Sequence, residues 1–394
     1  MRRTKLLPAT ALVASFTLLL AACGDEGEVA ETDAAADEDD AAAEGDDEEV
    51  AADGDDAAGE EIVEEEGTLD AYDDLPFTDI LPLDEQAIDE EVTIGFSQTG
   101  FNHPWRVAML ESVLAEADRH DNVSIITTDG DVDIQTQSND IDDLLAQGVD
   151  AIVMSPVESD GLVPAAERVT EADVPLVVLD RDVFTEKDLF IGQSNVTMSE
   201  GVAERMVEDL DGEGNILEIT GLVGSSPAID RSQGMENIIE DEPGIEVLTT
   251  GDGEWIREPA VDLVEDWLVT YEDIDAIFSH AEESSWGAQL AIARAGRCDD
   301  GILNYTFDGS AAGFESVAEG QFQANGNYSP FIGDIGVRAA LMLIQGEEIP
   351  DAEEYDEPGR YLQLPDLPVV VPENADEWIP LGWGDFEAQE DPCG

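Results

Sequence analysis

The sequence has very little positive charge. Its 394 residues include 15 lysines and arginines against 96 aspartates and glutamates, so the formal net charge is −81. Only two lysines occur, Lys5 and Lys187. A surface of this charge repels nucleic acid and anionic lipid, which excludes electrostatic binding to either as a function. Because the electrostatic screening length falls to about 3 Å at 1 M salt, such a surface is typical of a protein adapted to concentrated salt.

Histidine is equally scarce. The three histidines, His103, His120 and His280, show no spacing typical of metal ligands. The segment DGDVD at 129–133 resembles the start of a calcium loop, but Ile134 stands where that loop needs glycine. No Ser-His-Asp order or nucleophile elbow is present, and paired carboxylates carry no information in so acidic a chain. We therefore expect no metal site, no cofactor and no enzymatic activity.

The N-terminus has the features of an export signal. Residues 1–22 combine a basic start, an apolar run too short to span a membrane permanently, and small residues before Cys23. The segment LAAC resembles the lipobox of bacterial lipoproteins, which implies lipidation of Cys23 and an anchor on the outer face of the cell membrane. A soluble secreted protein cut near residue 22 is the alternative, and the route of export stays open.

An acidic segment follows the signal. Residues 24–91 contain 31 aspartates and glutamates and no lysine or arginine. Such a composition cannot bury enough apolar surface to offset the entropy of ordering, so 23–91 is predicted to be a disordered tether. Residues 72–89 regain some apolar character and could pack against the folded domain.

Two cysteines remain in the mature chain. Cys298 and Cys393 form an even pair in a chain with an export signal, which favours a disulfide between them. Two free thiols are the alternative.

From residue 92 onward, short apolar runs alternate with segments of helical period. Continuously apolar runs of this length are typical of strands buried on both faces of a parallel sheet, with a helix in each crossover. Strands are predicted at 92–97, 123–128, 151–156 and 175–180, with helices at 104–119, 133–147 and 161–172. The pattern then starts again, with strands at 189–194, 214–220, 244–250, 274–280, 301–308 and 322–328 and helices at 198–210, 228–240, 258–271, 285–295 and 310–318. The fold class is therefore α/β, with two doubly wound lobes and a crevice between them.

Ligands of open α/β sheets bind outside the carboxyl ends of the strands. Three arginines, Arg106, Arg181 and Arg231, follow predicted strands, although only 12 basic residues remain after the signal. Planar Arg and Asp groups suit the fixed hydroxyls of a sugar, and a tryptophan ring covers its apolar face. The alternative is that each arginine pairs with a surface carboxylate. The predicted sugar contacts are Ser97, His103, Trp105, Arg106, Ser155, Asp180, Arg181, Arg231, Trp255, Glu282, Asp308 and Tyr328.

Between residue 92 and about residue 350 the chain resembles the type I periplasmic sugar-binding proteins of ABC importers. It is similar to the ribose-binding group, and most of all to galactofuranose-binding members. The resemblance lies in the segments VTIGFSQTGFNHPWR, LLAQGVDAIVMSPV, VPLVVLDRDV, GLVGSSPAIDRSQGM and YTFDGSAAGF, in that order. It implies two lobes, joined by three crossing strands, that close on one sugar without performing chemistry.

The resemblance also implies roles for single residues. Trp105 corresponds to the ring that packs on the sugar, and Arg106 to the adjacent contact of galactofuranose-binding members. Asp180 and Arg181 correspond to the Asp-Arg pair after the fourth strand; Arg231 corresponds to the arginine of the second lobe, and Asp308 to the acidic residue of the DG pair. Two departures, Ala281-Glu282 for the usual Asn-Asp and Tyr328 for a glutamine, leave the exact sugar open.

The resemblance divides the mature domain into two discontinuous lobes. The first is predicted to comprise 92–194 and 329–352, and the second 195–328 and 353–394. We expect a monomer that captures a monosaccharide, galactofuranose-like or ribose-like, and delivers it to an ABC permease and its ATPase. A sensory receptor of the same fold, signalling to a membrane kinase or chemoreceptor, is the alternative. No function is predicted for 360–386.

Overall fold

The computed structural model describes residues 80–81, 90–384, 386 and 388–394. The predicted signal peptide 1–22, Cys23 and most of the acidic segment lie outside these residues. Leu81 is fully buried in the hydrophobic core, and its carbonyl oxygen accepts a hydrogen bond from Arg338 Nη1 at 3.1 Å. The acidic segment therefore packs against the folded domain at this point, where the prediction for 23–91 was a disordered tether. No helix within the described residues has the length and apolar character needed to cross a membrane.

Strands and helices alternate along the chain, close to the predicted positions. The strands are β1 (Val92–Gln98), β2 (Val123–Asp129), β3 (Ala151–Ser155), β4 (Leu176–Leu179), β5 (Leu189–Gly192), β6 (Glu213–Thr220), β7 (Gly244–Asp252), β8 (Ala276–Ser279), β9 (Leu303–Phe307), β10 (Ala324–Gly326), β11 (Glu353–Glu354) and β12 (Arg360–Gln363). The helices are α1 (Pro104–Ala117), α2 (Ile134–Gln147), α3 (Val163–Glu171), α4 (Asn195–Asp209), α5 (Ser226–Ile239), α6 (Arg257–Thr270), α7 (Glu282–Arg294), α8 (Ala311–Ala318), α9 (Gly333–Ile344) and α10 (Ala375–Trp378).

The first lobe is built on a seven-stranded sheet in the order β11-β12-β5-β4-β3-β1-β2. Strands β1 to β5 and β12 are parallel; only the short β11 is antiparallel to its neighbour. Helices α1 and α9 pack together on one face, and α2 and α3 cover the other. The central strands β3 and β4 are buried throughout because both faces are covered, which explains their unbroken apolar sequence.

The second lobe repeats the arrangement with five parallel strands in the order β10-β9-β8-β6-β7. Helices α6 and α7 pack on one face against β6 and β8, and α4 and α5 pack together on the other. In both sheets the chain reverses direction beside the first strand, β1 or β6, so the loops that leave the strands gather at one edge. The predicted fold class, two doubly wound α/β lobes, is confirmed.

The chain passes between the lobes three times, after β5, after β10 and after β12. The third passage lies later than predicted, because residues from 353 were expected in the second lobe. Strand β12 instead pairs with β5 of the first sheet, with Tyr361 opposite Phe190, and the rings of these two residues stack with centroids 5.0 Å apart. The chain reaches the second lobe only beyond it, where Val370 bridges to Asn325.

A disulfide joins Cys298, at the end of the second-lobe helix pair α6 and α7, to Cys393 near the C-terminus, as the cysteine count predicts. The two Cα atoms are 5.4 Å apart, and 95 residues separate them in sequence. The disulfide therefore fixes the end of the chain to the body of the second lobe.

Candidate functional site

A cleft lies between the two lobes, where the carboxyl ends of the strands face each other. The first lobe contributes Thr99, Asn102, His103, Trp105, Arg106, Val132, Asp180 and Arg181. The second lobe contributes Pro227, Arg231, Glu254, Trp255, Ile256 and Asp308, and Tyr328 comes from the second passage between the lobes. Nine of the predicted contacts line this cleft.

In the first lobe, two arginines flank one carboxylate. Arg106 Nη1 lies 2.7 Å from Asp180 Oδ2 and donates to Ser155 Oγ at 2.9 Å. Arg181 Nε lies 3.8 Å from the same Asp180 oxygen, and its Nη1 donates to the carbonyl oxygen of Val157 at 3.0 Å. Burial, followed by repulsion from Arg106, holds the pKa of Arg181 well below its usual range. Both guanidinium groups are buried, so they are not the surface ion pairs of the alternative interpretation.

Ser155 and Ser97 do not line the cleft. Ser155 is fully buried and orients Arg106, whereas Ser97 Oγ accepts a hydrogen bond from Gln137 Nε2 at 3.2 Å. Ser97 lies inside β1, where alternate side chains point to opposite faces, and it faces α2. Ser97, predicted as a sugar contact, is therefore turned away from the cleft, whereas Thr99, two residues later, lines it.

His103 supplies a neutral donor. Its Nδ1 caps α1 by accepting a hydrogen bond from the backbone N–H of Trp105 at 3.2 Å. Burial lowers the pKa of His103 to about 3, with nearby arginines adding to the effect. The ring is thus neutral, and its proton resides on Nε2, which has no hydrogen-bond partner among the described residues. The nearest carboxylate oxygen, Asp308 Oδ2, lies 4.0 Å away.

Trp105 and Tyr328 form an aromatic wall. The indole N–H of Trp105 donates to the carbonyl oxygen of Tyr328 at 3.0 Å, and the two rings stack with centroids 5.6 Å apart. Trp105 belongs to the first lobe and Tyr328 to a passage between the lobes, so this contact fixes the wall at the junction. Such a wall suits the apolar face of a ring-shaped ligand.

In the second lobe, Arg231 is the central cation. Its Nε donates to Asn195 Oδ1 at 2.9 Å, and its Nη1 donates to the carbonyl oxygen of His280 and to Asp308 Oδ1 at 3.4 Å. The guanidinium group also lies over the ring of Trp255, at 5.3 Å from its centroid. Asn195, the first residue of α4, was not predicted, because its part in the site is to orient Arg231 and not to face the cleft.

Trp255 covers the second-lobe side of the cleft. It adopts a left-handed backbone conformation, with φ of +70°, directly after Glu254 with φ of +54°. The indole ring lies flat over Gly221, where a Cβ atom would stand 2.0 Å from the ring. Its Nε1 is buried and has no hydrogen-bond partner within the described part of the chain. The ring therefore offers both an apolar face and a free donor.

Asp308 ends β9, and its carboxylate faces Arg231. Burial raises the pKa of Asp308 to about 7, although Arg231 opposes the shift. Burial, with repulsion from Asp308, raises the pKa of Glu282 to about 8. These two carboxyl groups lie close together, and Glu282 also accepts hydrogen bonds from the backbone N–H groups of Gly309 at 3.1 Å and Ser310 at 2.9 Å.

Glu282, predicted as a sugar contact, does not line the cleft. Its carboxyl group turns inward from the start of α7, where Asn325 Nδ2 also donates to it at 2.6 Å. Glu282 does follow a strand, as predicted, but its side chain accepts hydrogen bonds from the turn at Gly309 and Ser310. Other residues of the cleft were not predicted as contacts, although all follow strands: Thr99, Asn102, Val132, Pro227, Glu254 and Ile256.

The lobes also touch beside the cleft. The backbone N–H of Ser159 donates to the carbonyl oxygen of Gly224 at 3.0 Å, and that of Asp182 donates to Ser226 Oγ at 2.9 Å. Leu222 of the second lobe packs against the first-lobe core between β3, β4 and the helices α2 and α3. These contacts hold the two lobes together around the cleft. Among the described residues, no group of three His, Cys, Asp or Glu side chains is placed to hold a metal ion.

Comparison with known proteins places this arrangement in a family. Residues 94–348 match the family described as periplasmic binding protein domain. The chain is 28% identical to the ribose import binding protein of Bacillus subtilis over 262 residues, covering 66% of this chain and 84% of that protein. It is 26% identical to the galactofuranose-binding protein of Escherichia coli over 257 residues, covering 63% and 80%.

Solved structures give the same result. The fructose-binding periplasmic domain of a hybrid two-component system is similar, with a TM-score of 0.66 and 27% identity. The match covers 73% of this chain and 93% of that domain. The chain belongs to the periplasmic binding protein family and has the two-lobed fold of its type I sugar-binding members.

Proposed function

We propose that this protein captures a monosaccharide in the inter-lobe cleft and delivers it to the permease of an ABC importer. The observation that carries the proposal is the pairing of buried Arg and Asp groups from both lobes, Arg106 with Asp180 and Arg231 with Asp308, on either side of the cleft. Planar charged groups of this kind satisfy adjacent hydroxyls in fixed directions. The relatives named for ribose and galactofuranose support the same ligand class.

The aromatic side chains support a ring-shaped ligand. Trp105, Tyr328 and Trp255 all line the cleft beside its polar groups. A sugar presents an apolar C–H face to such rings while its hydroxyl edge meets the charged groups. His103 Nε2 and Trp255 Nε1, both buried donors, gain acceptors when a hydroxylated ligand occupies the cleft.

Capture requires closure and no chemistry. A ligand that contacts both lobes favours the closed state by its differential affinity for the two states. We propose that the closed, occupied form is what the permease binds, and that the protein acts as a monomer without a cofactor. Lipidation of Cys23 would hold the receptor at the outer face of the membrane, with the acidic segment as a spacer suited to concentrated salt.

Titration calorimetry of the mature protein in molar salt, against pentoses and hexoses that populate pyranose and furanose forms, tests the ligand class. We expect one-to-one binding of at least one of these sugars. Absence of heat and of thermal stabilisation with every sugar in the panel would contradict the proposal. Recovery of unchanged sugar from the complex distinguishes a binding protein from an enzyme.

A sensory role is the second candidate, since a two-component system carries a similar fructose-binding domain. In that case the occupied protein would bind the periplasmic part of a kinase or chemoreceptor and not a permease. Affinity purification with bound sugar, followed by identification of the membrane partner, separates the two roles. A permease with its ATPase supports import, and a receptor supports sensing.

A further inference from the structure

The C-terminal segment packs against the second lobe, and the sequence indicates no function for it. After the third passage between the lobes, Val370 pairs with Asn325 through two backbone hydrogen bonds of 2.8 and 2.9 Å. Helix α10 then lies against α8, and the disulfide between Cys298 and Cys393 closes the segment. The segment is thus held at both ends, with Trp383 between them.

Trp383 contacts the backbone of the binding site directly. Its indole Nε1 donates to the carbonyl oxygen of Asp308 at 2.8 Å. Its own carbonyl oxygen accepts from the backbone N–H of Ala311 at 3.0 Å, and the side chain is buried. Gly382 permits this approach, because a Cβ atom there would lie 2.4 Å from Ala311 N. The C-terminal segment therefore runs alongside the turn that carries Asp308.

That turn has an unusual backbone. Asp308 has φ of +124°, a region that residues other than glycine rarely adopt, and Gly309 follows with φ of +82°. Such a conformation persists only where the surroundings hold it in place. Glu282 holds one side of the turn through the N–H groups of Gly309 and Ser310, and Trp383 holds the other through the carbonyl oxygen of Asp308.

We infer that the C-terminal segment is part of the sugar-binding machinery, with Trp383 as a positioning residue that fixes Asp308 in its strained conformation. Held in this way, the Asp308 carboxylate meets Arg231 and faces the cleft. Trp383 does not line the cleft, so it acts on the ligand only through Asp308. The effect on affinity rests on the proposed function, whereas the effect on the turn does not.

The test compares Trp383→Phe with Trp286→Phe in the full chain. Phenylalanine keeps an aromatic ring and removes the indole donor in both. Trp286 is a matched control, since it is buried in the same lobe and its Nε1 donates to Ser316 Oγ at 3.2 Å, away from the Asp308 turn. Hydrogen exchange of the Gly309 and Ser310 amides, measured without ligand, should be about tenfold faster in Trp383→Phe and unchanged in Trp286→Phe.

The second readout is sugar affinity in a double-mutant cycle. Trp383→Phe should weaken binding about tenfold in the natural background and have no further effect in an Asp308→Asn background, because the two changes act through one group. Equal losses in both backgrounds, or unchanged amide exchange, would overturn the inference. Faster exchange together with a wild-type protein that binds no sugar would support the positioning role and contradict the proposed function.

A second variant covers the case in which Trp383→Phe does not fold. Cys298→Ser with Cys393→Ser keeps Trp383 but releases the end of the segment. We expect the exchange of the same two amides to increase about threefold, with the first-lobe amides unchanged. If exchange instead increases equally for all amides of the second lobe, the variant only accelerates global unfolding. The C-terminal segment then does not specifically stabilise the Asp308 turn.

Discussion

Each lobe places an arginine and an aspartate at the cleft, but the neighbours that hold these side chains in position differ between the lobes. In the first lobe, Asp180 lies between two arginines, Arg106 at 2.7 Å and Arg181 at 3.8 Å. In the second lobe, Asp308 meets Arg231 alone at 3.4 Å, and burial raises its pKa to about 7. Two guanidinium groups hold the carboxylate of the first half, whereas the second half has one guanidinium group together with contacts from α7 and the C-terminal segment.

Because of this difference, we expect substitutions in the two lobes to have different effects. Losing one arginine from the first lobe leaves Asp180 with another, so the lobe keeps its fold and loses a ligand contact. Losing Arg231 leaves Asp308 buried with no guanidinium group within 4.0 Å among the described residues, since the other group at that distance, His103, is neutral. We expect first-lobe changes to appear mainly in affinity and second-lobe changes in both affinity and stability.

The largest effect is expected for Arg231→Ala. Removing one partner of a buried ion pair costs about 3 to 5 kcal/mol, so the free energy of unfolding should fall by that order. Denaturant titration in molar salt measures it. Arg257→Ala is the control in the same lobe, because its pair with Glu283 at 2.9 Å is partly exposed and should contribute about 1 kcal/mol or less. Equal losses in the two variants would contradict the dependence of Asp308 on Arg231.

A smaller effect, on affinity, is expected for Arg106→Ala and for Arg181→Ala. Each should weaken sugar binding by about 1.5 to 3 kcal/mol, because a hydrogen bond from a charged group is lost in a closed cleft. Titration calorimetry measures the change, with Arg168→Ala as the first-lobe control on an exposed ion pair with Asp142. Unchanged affinity in both cleft variants would remove Arg106 and Arg181 from the binding site.

The Trp255 ring of the second lobe can be displaced by a substitution that changes no polar side chain. In Gly221→Ala the new methyl group would overlap the Trp255 ring, so the ring must move, and we expect sugar binding to weaken by about 1 to 3 kcal/mol. Gly214→Ala in β6, the strand that precedes Gly221, is the control, since its nearest neighbour is a Leu210 side-chain atom at 3.1 Å. If both variants bind equally well, Trp255 is not needed as a cover.

The buried carboxyl groups of Glu282 and Asp308 also predict that the stability of the fold depends on pH. Glu282 and Asp308 have folded-state pKa values raised to about 8 and about 7, so the folded protein binds more protons than the unfolded chain between about pH 4 and 8. Their contribution to stability is therefore present at low pH and is lost as the pH rises through 7 and 8. Relative to Glu282→Gln, the wild type should lose on the order of 3 kcal/mol between pH 5 and 8.

Chemical unfolding of both proteins at several pH values measures this difference. The comparison cancels the opposing contribution of the buried histidines, His103 and His280, whose lowered pKa values favour the folded state at higher pH. Parallel stability curves for the two proteins would show that Glu282 does not titrate in this range.

The sequence predicted much of the fold because the apolar runs of parallel strands are unbroken. Asp180 could be placed in the cleft because it directly follows β4, and Arg231 because it lies in the first turns of the helix after β6. Chain position does not determine the direction of a side chain, which is why Ser97 and Glu282 were predicted as contacts although neither lines the cleft. Both are buried by neighbours that sequence spacing does not reveal.

Contacts between residues far apart in the chain could not be predicted from the sequence either. Strand β12 joins the first sheet through its register with β5, and Trp383 contacts Asp308, which lies 75 positions earlier in the sequence. Neither contact leaves a periodic signal in the sequence, because each depends on where the chain returns after crossing between the lobes. The contacts of Glu282 and Trp383 with the Asp308 turn are therefore seen only in the folded structure.

Closure of the two lobes on one sugar is the central claim, and the distance between the lobes tests it most directly. Spin labels at Glu167→Cys on α3 and Val269→Cys on α6, with the natural disulfide intact, report this distance by double electron–electron resonance. We expect the distribution to shift to a single shorter distance when a sugar that binds in calorimetry is added, and to remain unshifted in an Arg231→Ala background. Identical distributions with and without that sugar in the wild type would contradict the account.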